Sequence, residues 1–184
     1  MKINHMKKLA LIALLPLAVA CNKQANDVVV TPAHNTSGAM AKKTVNTTFT
    51  SSAVLGSNDL YQGTFTASGF VSGSGTSSES VNITMPASGN PQALANATYT
   101  FHSTQTFTFS STSSITIVTS GSWAFTSSSL QHATGSGNWT ITHGTGDYAN
   151  LHGTGSLEIT DIDFSGTATA VSDEYVGNLH YSSN

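Results

Sequence analysis

Arginine is absent from the chain, and all six lysines (Lys2, Lys7, Lys8, Lys23, Lys42, Lys43) fall within the first 43 of its 184 residues. From Thr44 to Asn184 there is no Lys or Arg, against eight carboxylates and five histidines. A nucleic-acid partner is excluded, because neutralising phosphates takes Lys and Arg. Phosphate-bearing cofactors lose their usual counter-charges for the same reason. Cys21 is the only cysteine, so no intramolecular disulfide can form. The apolar run Leu9 to Val19 has eleven residues, too few to span a bilayer as a helix. No Gly-x-Ser-x-Gly nucleophile elbow occurs. Charged residues make up 8% of the chain, where about 25% is ordinary. Hydroxyls take their place: Ser and Thr number 27 each.

The first 20 residues read as an address. Lys2, Lys7 and Lys8 form a positive n-region, Leu9 to Val19 an apolar h-region, and Ala18-Val19-Ala20 a small-x-small cleavage pattern. Cys21 follows directly. This resembles a bacterial lipoprotein signal, which implies that Cys21 is diacylated and anchors the protein to the membrane. Asn22, in place of an Asp, then points to the outer membrane of the cell envelope. The residues alone also fit ordinary secretion with Cys21 free. Residues 21–45 are polar, small and aperiodic, as flexible tethers are.

Residues 46–184 form the body, and there the apolar period is two. Tyr99, Phe101, Phe107 and Phe109 occupy odd positions and Thr98, Thr100, Thr104, Thr106 and Thr108 even ones. Similar runs include Phe65 with Ala67, Val81 with Ile83, Ile115 with Ile117, Trp123 with Phe125, Trp139 with Ile141, and Leu157 with Ile159. Gly, Asn, Asp and Ser clusters separate them, as hairpin turns require. The expectation is all-β: eight or nine antiparallel strands closed into a barrel whose interior is one side chain deep. An outer-membrane barrel would need the reverse, apolar side chains facing lipid around a polar lumen.

Residues 137–155 carry the most distinctive motif. Gly144-x-Gly146-x-x-Ala149 mimics a dinucleotide fingerprint, but no helix follows it and Asp147 would repel phosphate. The longer pattern W-x-I-x-x-G-T-G-x-Y-A-x-L-x-G-x-G, from Trp139 to Gly155, resembles that of the allene oxide cyclase barrel-like proteins. That group includes plant cyclases, dirigent proteins and small secreted bacterial proteins. The resemblance covers about residues 60–181 and implies an eight-stranded antiparallel barrel, often a homotrimer in the plant members. No position securely matches a catalytic residue of the group.

Candidate site residues follow from parity. His143 shares the parity of Trp139 and Ile141 and is expected to point inward near a barrel mouth, as a ligand contact or as an anchor of the glycine loop. Ser103 and Gln105 share the parity of Phe101 and Phe107 and could line a small polar pocket. Tyr99, Trp139 and Tyr148 complete the ligand-binding candidates, with Tyr148 and Leu151 plugging one mouth. Glu158, Asp161 and Asp163 are expected to face solvent, and Glu79 to sit in a Ser/Gly-rich loop. His143, Asp147 and His152 are metal-capable, but no converging set of three or four ligands is evident, so neither metal nor cofactor is expected. The resulting reading is a cell-envelope lipoprotein whose barrel is a binding or structural module for a small apolar ligand or a protein partner. An isomerase or cyclase acting on a lipid-like substrate is the alternative. An adhesin or ice-binding face on the threonine ladder is the third.

Overall fold

The structure, a computed structural model, describes residues 45–85 and 91–182. The signal segment, Cys21 and most of the tether lie outside these residues. Eight antiparallel strands run in simple up-and-down order: β1 (Val45–Leu55), β2 (Tyr61–Gly69), β3 (Gly73–Thr84), β4 (Thr98–Thr108), β5 (Ser114–Phe125), β6 (His132–Thr145), β7 (Leu151–Asp163) and β8 (Ala170–Tyr181). Strand β1 pairs with both β2 and β8, so the sheet closes into a barrel. One short helix, α1 (Pro91–Ala95), lies in the β3–β4 connection. Tyr99 Oη donates to its Leu94 carbonyl at 3.2 Å.

Alternation along each strand puts one face in the lumen and one in water. On β4, Tyr99, Phe101, Ser103, Gln105 and Phe107 are all buried, while Thr98, Thr100, His102 and Thr104 between them are exposed. Hydrocarbon fills the lumen's middle. Phe49 stacks on Phe107 with centroids 4.9 Å apart, and Phe107 also meets Phe65 at 4.9 Å and the Tyr175 ring edge-on at 5.6 Å. Each such pair adds about 0.5–1.5 kcal/mol beyond the area it buries. The Trp139 indole lies over Gly155 and Gly177, which face each other on β7 and β8. A Cβ on Gly177 would come within 2.4 Å of the indole, so only glycine leaves this slot. The indole N–H donates to the Ser156 carbonyl at 3.0 Å.

Three register shifts interrupt the alternation, at Thr116/Ile117, Ala133/Gly135 and Ile159/Asp161. The first marks an extra residue on β6 and the other two a single extra residue on β7, and each insertion turns the following side chains to the other face. The shift on β7 explains why Ile159 and Ile162, three apart, both point inward.

Candidate active site

The barrel has two ends. The β2–β3, β4–β5 and β6–β7 connections gather at one, and the β1–β2, β3–β4, β5–β6 and β7–β8 connections at the other. The glycine-rich segment belongs to the first. Gly146 there takes φ +56°, and a Cβ would meet Ser113 Oγ at 2.5 Å and the Thr112 carbonyl at 2.6 Å. That forces a single 3-10 turn, Gly146–Tyr148, against the β4–β5 turn. The Tyr148 ring packs on Phe109 (4.7 Å), which packs on Phe65 (4.8 Å). Leu151 is buried beneath, and Tyr181 Oη donates to the Asp147 carbonyl at 2.9 Å. Aromatic packing and a tight turn seal this end.

The other end holds a polar group of a different kind. Glu79 is on β3, not in a loop, and is 6% exposed; Asp173 on β8 is 5% exposed. Both line a cavity of about 50 Å³ whose other walls include Tyr61, Val81, Phe101, Trp123, Ile159, Ile162, Phe164 and Val171. Four inward side chains of β1 to β3 near this level, Ser51, Ala53, Gly63 and Ser77, are small, which leaves room for the two carboxyls. Ser103 Oγ donates to Glu79 Oε1 at 2.5 Å and is also bonded to Thr119 Oγ1. Tyr175 Oη donates to Asp173 Oδ2 at 3.4 Å. Gln105, wholly buried, donates from Nε2 to Ser51 Oγ at 3.3 Å, and its Oε1 has no partner.

No cation faces this group among the described residues. Desolvation pushes the Glu79 carboxyl above its ordinary range, with the Ser103 hydrogen bond opposing. Desolvation, reinforced by the Glu79 charge, pushes Asp173 up to about 8. Burial and the two carboxylates raise Tyr175 well above the usual tyrosine range, and Tyr61 moves the same way. Two like charges buried on one cavity cannot both ionise readily, so the pair retains a proton at neutral pH. A buried carboxylic acid of this kind can donate a proton or a hydrogen bond, and its ionised neighbour can accept one.

The residues expected from parity do not converge. Ser103 and Gln105 are buried in the layer behind the cavity, where Ser103 holds Glu79 and Gln105 holds Ser51. Tyr99 is buried at the same end, stacked on Trp123 at 4.1 Å. Trp139 is buried in the glycine slot and Tyr148 is half-buried at the opposite end. His143 is exposed, against the inward direction expected for it. The bulge opposite Thr116/Ile117 adds Thr142 to β6, so Ile117 pairs with Ile141 but Thr116 with His143, and Gly144 takes the inward place. Asp147, His143 and His152 form no metal-capable cluster among the described residues. Glu158 is exposed, and Asp161 pairs on the outer surface with His132 at 3.1 Å.

No protein-family model, curated protein or solved structure matches the chain.

Proposed function

We propose that the chain is a cell-envelope lipoprotein, anchored through Cys21, whose barrel takes a small and largely apolar ligand at its acidic end. One observation carries this reading: an apolar cavity reaches two carboxyls that the fold buries without a cation to neutralise them. Burying such groups costs stability unless something repays it, and sites that persist at that cost are commonly functional. The cavity's size limits what enters to a ligand of a few non-hydrogen atoms, or to one end of a longer molecule. Native mass spectrometry on the gently purified protein is the test. Retained small-molecule mass, and a diacylglyceryl increment on the Cys21 peptide, are expected. Protein that is bare under every gentle condition, and that no added small molecule protects against thermal unfolding, contradicts the ligand reading.

The same pair favours a second reading, acid–base isomerisation or cyclisation of a lipid-like substrate, with one carboxyl donating and the other accepting a proton. Its support is the interior position of Glu79 and Asp173 on one cavity. Under that reading Glu79→Gln abolishes turnover of a candidate substrate while leaving its binding intact. The threonine ladder supports the third reading less: Thr106 and Thr116 hydroxyls bond each other at 3.1 Å, and the sheet that carries them curves into a closed barrel. Ordering a sheet of ice takes a flat array.

A further inference from the structure

We infer that the ligand of the acidic end is a short-chain organic cation, a primary ammonium on a small apolar body, whose N–H groups are received by Glu79 and Asp173. The inference rests on the reading that the cavity is a ligand site, and it adds the ligand's charge and class.

Hydrogen-bond capacity is the first support. The carboxyl pair offers four oxygens, and the barrel supplies a side-chain donor to two of them, from Ser103 and Tyr175. Immediately behind, Gln105 Oε1 is fully buried and receives none. The site is therefore rich in acceptors and short of donors. A primary ammonium brings three donors and no acceptor, the complement of what is missing. Charge is the second support. Six elements bring polar groups to this layer: β1 Ser51, β2 Tyr61, β3 Ser77 and Glu79, β4 Ser103 and Gln105, β5 Thr119, and β8 Asp173 and Tyr175. None is cationic, and β7 contributes only Leu157, Ile159 and Ile162 to the cavity. The chain has no Lys or Arg beyond Lys43 that could fill the role. An anion would be repelled, and a neutral hydrocarbon would leave the carboxyls as uncompensated as before. Shape is the third. Val81, Phe101, Trp123, Ile162 and Phe164 surround the space beside the carboxyls, and the aromatic rings among them favour a cation with an alkyl body.

The bound cation displaces the proton that the pair otherwise retains. Binding therefore releases a proton and strengthens as pH rises through the pair's titration, until the ammonium itself deprotonates.

The test is isothermal titration calorimetry of the purified protein at about pH 8 with butylammonium, 1-butanol and butyrate, three probes of one shape and different charge. Butylammonium is expected to bind, with 1-butanol roughly ten- to a hundredfold weaker and butyrate weaker still. Its heat should vary with the ionisation enthalpy of the buffer, reporting the released proton. Asp173→Asn and Glu79→Gln should each weaken butylammonium roughly tenfold or more and leave 1-butanol unaffected. Ser103→Ala, which keeps both carboxyls, should weaken it less. Binding of 1-butanol as tight as that of butylammonium overturns the cation and leaves the ligand site standing. Failure of all three probes to bind overturns the inference, and if native mass spectrometry also finds no retained molecule, the ligand reading falls with it.

Discussion

At the glycine-loop end, aromatic rings fill the mouth and a glycine with positive φ lets the chain turn back on itself; at the acidic end, rings such as Tyr99 and Trp123 also pack, but two buried carboxyls lie beside them and a cavity remains. The strands and the alternation are common to both ends. What differs is the residue type in the inward positions. At the first end Phe65 packs on Phe109, and Phe109 on Tyr148. At the second, Gly63, Ala53 and Ser77 are too small to fill their share, and Glu79 and Asp173 are too polar to be left without consequence. The asymmetry separates an end sealed by a tight turn and rings from an end that buries two carboxyls beside a cavity.

Substitution can break or sharpen this division. The largest effect is expected at the shared core. Phe107→Ala removes a ring that touches Phe49, Phe65 and Tyr175 and should cost about 3–5 kcal/mol by chemical denaturation at any pH. Next comes the glycine-loop end. Gly146→Val puts a β-branched residue at φ +56° and into Ser113 and Thr112, and should cost roughly 2–3 kcal/mol, again independent of pH.

The acidic end should answer in the opposite sense. Asp173 keeps its proton in the fold up to about pH 8, whereas its ordinary value is 3.8. Between those limits the folded state binds the extra proton. Stability therefore falls as pH rises, by up to about 1.4 kcal/mol per pH unit, and the penalty is absent below the unfolded value. Asp173→Asn removes it: the variant should gain roughly 2 kcal/mol or more near pH 8 and almost nothing near pH 4. Denaturation curves across pH check this, and equal effects at both pH values would erase the distinction between the two ends. The smallest effect belongs to His143→Ala, which should stay within about 0.5 kcal/mol because the side chain is exposed.

Much of this was legible in the amino-acid order. Strict alternation, turn clusters and the absence of helical periods are enough for a closed antiparallel barrel, because each follows from local geometry. The inward directions of Ser103, Gln105, Tyr99 and Trp139 follow from parity with their apolar neighbours. His143 did not follow, since a bulge is a one-residue change that alternation cannot announce in advance. Glu79 and Asp173 carried a usable signal that composition obscured. Glu79 has the parity of Val81 and Ile83, and Asp173 that of Tyr175 and Leu179. Glu79 sits in a Ser/Gly-rich run that reads as a loop, and a carboxyl at a core position runs against the ordinary cost of burial. That the two carboxyls share one cavity depends on barrel closure, which brings β3 and β8 together across β1 and β2.

At the acidic end, two buried carboxyls on one cavity raise each other's affinity for a proton and together retain one at neutral pH. Carbon-13 NMR of the side-chain carboxyls, recorded from about pH 3 to about pH 9, tests it most directly. Two resonances should titrate above the ordinary carboxylate range, one of them near the value of about 8 held by Asp173, and both should be lost or shifted in Asp173→Asn and Glu79→Gln. Titration of every carboxyl in the ordinary range, with the barrel folded throughout, would contradict it.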